Sequence, residues 1–204
     1  QAADAAVVVI EAIDGVKVQT EQAWEFADQL EMPRVVFINK MDRERADFFQ
    51  TFKDVAETFT LKPILLQVPI GAEEDFKGVV DLISQKAYLY GEGGKSTVGE
   101  IPAEIQDQVE SEREALIENI AEADDELLEK YLEGNVLTEE ELMQALRTGT
   151  LERVFVPVLC GSATKNIGVD LLMDFVNGCF PSPADRGATT GIDPSSGEEV
   201  ERAP

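Results

Sequence analysis

Arg34-Val35-Val36-Phe37-Ile38-Asn39-Lys40-Met41-Asp42 decides the fold. Four apolar residues in an unbroken run behind Arg34, mostly β-branched and without alternation, describe a strand covered on both faces. The run stops on Asn39, Lys40 and Asp42, three polar positions among four, so a loop leaves the strand's carboxyl end. Upstream, Ala5–Ile10 repeats the same unalternating pattern. Between the two runs, Asp14-Gly15 makes a turn. Thr20 is placed to cap a helix running to about Glu31, with Trp24, Phe26, Ala27 and Leu30 as apolar positions, and Pro33 stops it. Downstream, Phe48, Phe52, Val55, Ala56 and Phe59 recur at helical spacing. The order β-α-β-α predicts an α/β unit with parallel strands and right-handed crossovers.

The pattern changes after Pro63. Ile64–Ile70, Gly78–Ile83 and Lys86–Tyr90 read as short strands of an antiparallel meander. From Glu104 to Leu146 the chain carries fifteen acids and two bases, Arg113 and Lys130, while Ile105, Val109, Leu116, Ile120, Leu127 and Tyr131 hold a helical stripe. Asp124 can cap a new helix there, Gly134 can end it, and Thr138 with Glu141 forms a capping box for a third. Arg153–Leu159 returns to a buried strand and Val169–Cys179 to a helix ended by Pro181. Residues 182–204, rich in Gly, Pro, Ser and charge, read as a linker toward a following domain. The α/β layer thus occupies residues 1–60 and 151–181, and an acidic α+β module is inserted over residues 61–150.

Composition narrows the function classes. A net charge of -24, from 41 acids and 17 bases, repels nucleic-acid phosphates and anionic membranes and favours basic protein partners. Direct DNA binding and membrane association are therefore not expected, although the same charge also fits plain solubility or a salt-adapted source. No His and only two cysteines, Cys160 and Cys179, argue against a zinc or iron site and against a disulfide framework. With no signal-peptide pattern and no long apolar span, a reducing cytoplasm is the expected setting.

Asn39, Lys40 and Asp42 follow a buried strand, where ligands of open α/β sheets bind. A carboxylate at Asp42 can accept two parallel hydrogen bonds, from the ring N1–H and the 2-amino group of guanine. Adenine offers neither donor at that edge and would leave the carboxylate unpaired. Asn39 would tie the loop together, and the Lys40 stem would cover the face of the base. Cys160-Gly161-Ser162-Ala163 leaves the last buried strand in the same position. The Ala163 N–H could donate to guanine O6, with small residues letting the backbone approach. Gly91-Glu92-Gly93-Gly94-Lys95-Ser96-Thr97 imitates a phosphate loop but has Leu89 where the pattern needs Gly, and no helix follows. It reads as a mobile loop.

Asn39-Lys40-Met41-Asp42 and Ser162-Ala163 resemble the fourth and fifth motifs of the GTPase superfamily. The wider stretches Phe37–Arg43, Val68–Leu82 and Cys160–Asn166 resemble the elongation factor G family of bacterial translational GTPases, nearly end to end. That resemblance implies a partial P-loop-GTPase-type parallel sheet with an inserted α+β subdomain, and guanine recognition of GTP or GDP by Asn39, Lys40, Asp42, Ser162 and Ala163. It implies that the phosphate loop, both switches, the catalytic His and the Mg²⁺ site precede Gln1, and that the longer protein works on the ribosome in translocation. Thr164, where the family usually has Phe, and departures across Tyr88–Gly99 point to a divergent paralogue.

Two further expectations concern partners. Glu110, Glu114, Glu118, Glu122 and Asp125 recur at spacings of three or four and can share a helix face. The resemblance implies docking there of the ribosomal stalk protein, whose terminal domain is basic. An acidic docking module that never meets nucleotide is the alternative reading. The chain also opens directly on Ala5–Ile10. An exposed edge at Val7–Ile10 is then expected to drive dimerisation or aggregation, or to be filled by the chain's own tail.

Overall fold

A computed structural model describes residues 3–91 and 93–203; Glu92 of the glycine-rich stretch lies outside the described residues. The first half runs β1 (Ala6–Glu11), α1 (Val18–Gln29), β2 (Arg34–Asn39), α2 (Phe48–Thr58) and β3 (Lys62–Leu65). An antiparallel sheet follows, of β4 (Gln67–Ile70), β5 (Gly78–Asp81), β6 (Lys86–Tyr90) and β7 (Ser96–Gly99). Three helices come next, α3 (Gln106–Ala121), α4 (Asp125–Leu132) and α5 (Glu139–Leu151). The chain closes with β8 (Phe155–Cys160), α6 (Val169–Cys179), α7 (Pro183–Arg186), β9 (Thr189–Ile192) and β10 (Glu199–Arg202).

β1, β2, β8 and β3 form one sheet in that order, and every pairing in it is parallel. The apolar runs explain the order. Val35, Val36, Phe37 and Ile38 of β2 are at most 3% exposed, and all of β8 is buried, so these two strands take the centre. β1 lies at one edge. Its Val8 and Ile10 face the core, while Val7 and Val9 on the other face are 39% and 55% exposed. Each fully buried Val or Ile stabilises the fold by about 1.5–3 kcal/mol, which makes the two central strands its strongest element.

Arg34, 1% exposed, is held by a 2.7 Å ion pair to Asp28, by the carbonyls of Trp24 and Met32, and by the Trp24 ring 4.7 Å away. A buried guanidinium needs such enclosure to offset its lost hydration.

The structure departs from the sequence reading at several elements. Ile64–Ile70, read as one strand, is two. Lys62–Leu65 joins the parallel sheet beside β8, and Gln67–Ile70 opens the meander. The break at Leu66 has no periodic signal because the residues on both sides are buried, polar Gln67 included. Thr20 does not cap α1. Lys17 occupies the capping position, and the Thr20 hydroxyl accepts from its N–H at 3.3 Å, three residues on. Ser96 and Thr97, expected in a mobile loop, belong to β7 and pair with β6. The tail forms a short helix and an exposed antiparallel hairpin, where the sequence reads as a linker. Asp124 caps α4, and Thr138 and Glu141 make the reciprocal capping box of α5, as their spacing indicates. Among the described residues no helix is long and apolar enough to cross a membrane.

Candidate nucleotide site

The β2 and β8 ends bring the two marked loops together. The Ala163 N–H donates to Asn39 Oδ1 at 2.9 Å, and the Lys40 N–H donates to the same oxygen at 2.8 Å. Met41 N–H reaches the Gly161 carbonyl at 3.2 Å, and Gly161 N–H reaches that of Ile38 at 2.9 Å. One amide oxygen and two backbone bonds therefore set the spacing between the loops. The Ala163 N–H, assigned from sequence to guanine O6, has Asn39 as its partner in this structure, so a base oxygen there would share or replace that bond.

Asp42 is the unusual member. Its side chain is 6% exposed, and Lys165 Nζ and Arg43 Nε each approach Oδ2 no closer than 3.9 Å. Oδ1 is buried and accepts no hydrogen bond. Leaving a buried acceptor unsatisfied costs about 1–3 kcal/mol. Such a vacant acceptor fits a ligand edge that carries paired N–H donors, as guanine does and adenine does not.

Lys40 adopts a left-handed backbone, φ 65°, and its ammonium pairs with Glu11 at the end of the neighbouring strand. The Lys40 hydrogen bond, with Lys17 nearby, holds the Glu11 carboxyl below its ordinary range. The strand register foreshadows this pairing, since Glu11 lies opposite Asn39. The sequence reading omitted Glu11, and Lys165 as well.

Ser162 is fully buried. Its N–H and carbonyl pair with Ile167 at 3.0 Å each, and its hydroxyl accepts from the Lys165 N–H at 3.3 Å. Gly161 is small for a reason other than room for a base: a Cβ there would lie 2.2 Å from the Ile167 oxygen and 2.7 Å from Phe37 Cζ.

The acidic residues divide differently from the single face expected. Glu110, Glu114 and Glu118 are exposed on α3, Glu122 follows its last turn and pairs with Lys62 at 3.1 Å, and Asp125 opens α4. The turn at Glu122-Ala123 and the extended Asp124 end the helical spacing before Asp125.

A parallel sheet with two loops meeting at its strand ends, interrupted by an antiparallel sheet and three helices, is the architecture of a GTP-binding domain of the translational GTPase type. The chain belongs to the elongation factor Tu GTP-binding domain family, whose sequence model matches residues 1–182. It is 48% identical to elongation factor G of Aquifex pyrophilus over 204 positions, covering 98% of this chain and 29% of that protein. A crystal structure of a protein from Thermus thermophilus superposes with a TM-score of 0.83 at 33% identity, over 98% of this chain and 31% of the other. The chain thus spans less than a third of these relatives. Nothing in these likenesses supports the alternative of a docking module that never meets nucleotide.

Proposed function

We propose that this chain reads the guanine base of GTP or GDP, on behalf of a longer translational GTPase that acts on the ribosome in translocation. The buried, unbonded Oδ1 of Asp42 carries the reading. Asp42 would accept from guanine N1–H and the 2-amino group, Asn39 would hold the loops in register, and the Ser162-Ala163 backbone would face O6. The Lys40 stem would cover the base, its ammonium tethered to Glu11. Phosphates and Mg²⁺ would be handled by residues other than these.

The test is an NMR titration with 5′-GMP against 5′-AMP, two ligands of equal phosphate charge. Shifts at Asp42, Ala163 and Lys165 are expected with GMP at concentrations at least about tenfold below those needed for AMP, since unpaired buried groups discriminate strongly. Equal responses to the two nucleotides would remove the guanine reading.

The exposed acids of α3 and α4 are proposed to dock a basic partner, the ribosomal stalk protein in the family this chain resembles. Reversing two charges, Glu114→Lys with Glu118→Lys, is expected to weaken that binding by roughly tenfold at low salt, and less at high salt. Binding of the stalk terminal domain that is indifferent to both salt and the reversals would count against docking at this face.

A further inference from the structure

The antiparallel sheet touches both guanine-facing loops, each through a different turn. On the Met41 side, the β4–β5 connection carries a 3-10 turn at Glu73–Asp75. Glu73 N–H donates to the Met41 carbonyl at 3.0 Å, and Glu73 Oε1 accepts from the Arg45 N–H at 2.7 Å. Glu73 makes these two bonds from a left-handed conformation, φ 54°, which a side-chain-bearing residue adopts at a cost. On the Ala163 side, the β6–β7 hairpin reaches Asp170 in the first turn of α6. The Tyr90 hydroxyl donates to one Asp170 oxygen and the Ser96 hydroxyl to the other at 2.9 Å. Burial and the Asp170 carboxylate together keep the Tyr90 hydroxyl protonated, so it remains a donor. At the tip, Gly94 lies so close to Asn166 that a Cβ would be 2.5 Å from the Asn166 Cβ. Asn166 N–H in turn donates to the Ala163 carbonyl at 3.3 Å.

We propose that the antiparallel sheet is a brace for the two loops, with Glu73 as the positioning residue for Asn39–Asp42 and Asp170, through Tyr90 and Ser96, for Ser162–Ile167. The proposal deepens the guanine reading and rests on it for its functional consequence. Neither clamp reaches the base. Each fixes a loop whose own contacts, Met41 to Gly161 and Ala163 to Asn39, hold the site together. Coupling through packed elements of this kind typically amounts to about fivefold or more in affinity.

The test uses Glu73→Ala, Glu73→Gln and the double variant Tyr90→Phe/Ser96→Ala, with amide exchange and GMP titration as readouts. Glu73→Ala should speed exchange of the Met41 amide, and the double variant that of Ala163 and Ile167, by roughly tenfold each. None of these three amides is bonded to a mutated side chain, so loss of a local contact alone would not move them. GMP binding should weaken about fivefold in both variants while AMP binding is unchanged. Glu73→Gln keeps the acceptor and should behave as the unmodified chain. Unchanged exchange in Glu73→Ala and in the double variant overturns the brace even if GMP is preferred. Faster exchange in a chain that never prefers GMP leaves the brace standing and refutes only the guanine reading. Tyr90→Phe alone, which removes a single hydroxyl, repeats the measurement if the double variant unfolds.

Discussion

Asp42→Asn is expected to abolish the preference for guanine and to stabilise the fold at the same time. The carboxylate is 6% exposed, with one oxygen unbonded and the nearest cations 3.9 Å from the other. Hydrogen bonds to a charged group are each worth about 1.5–3 kcal/mol, so replacing one of the two acceptors by an NH2 donor should weaken GMP binding by about a hundredfold. The amide that replaces the carboxylate can donate, so it should favour a base with a carbonyl at position 2. XMP should therefore gain where GMP loses. The neutral side chain also removes a poorly compensated buried charge, and the thermal midpoint should rise by a few degrees, about 1 kcal/mol of stability. A fall in midpoint with unchanged GMP binding would show that Asp42 serves the loop and not a ligand. The opposed signs of the two effects are what separates a binding residue from a structural one.

The two central strands were legible because β2 and β8 are buried on both faces, and such strands leave an unbroken apolar run in the sequence. Asp124 and the Thr138–Glu141 box were legible because capping is local, decided within four residues. Two kinds of feature were not. Leu66 divides two strands of different sheets, yet Ile64, Leu65, Leu66, Gln67 and Val68 are all buried, so no change of period marks the break. Contacts across the fold also leave no local trace. Nothing near Asp170 in sequence announces that Tyr90 and Ser96 end on its carboxylate, 80 and 74 positions away. The position of Asn39 and Asp42 at the end of β2 is written locally, whereas the use of the Ala163 N–H by Asn39 depends on a pairing 124 residues apart. Loop chemistry at strand ends is written locally. Its geometry is not.

Gly161→Ala should strongly disrupt the site, although it adds only a single methyl group. The backbone at Gly161 is not left-handed, so the difficulty is space alone. An added Cβ would meet the Ile167 oxygen at 2.2 Å and Phe37 Cζ at 2.7 Å, both shorter than real Cβ contacts. Neither neighbour can retreat cheaply. The Ile167 carbonyl is fixed by the Ser162 N–H at 3.0 Å, and Phe37 is 3% exposed in the central strand. The loop must open instead, straining the Gly161 bonds to Ile38 and Met41 that join β8 to the Asn39–Asp42 loop. Overpacking of this kind costs about 1–3 kcal/mol and the strained hydrogen bonds about 1 kcal/mol more. For a domain of this size that lowers the thermal midpoint by roughly 5–15 °C. Gly178→Ala provides the contrast. It lies in the last turn of α6, its nearest neighbour would be Met143 Cε at 4.0 Å, and a helical Ala should be neutral or stabilising by up to about 1 kcal/mol. Because Met41 and Ala163 flank the displaced carbonyl, Gly161→Ala should also lose its GMP preference well below its melting point, while Gly178→Ala keeps it. Equal midpoints for the two variants would show that the Ile167 side of the loop yields freely, and that the spacing of the Asn39–Asp42 and Ser162–Ile167 loops is not set at Gly161.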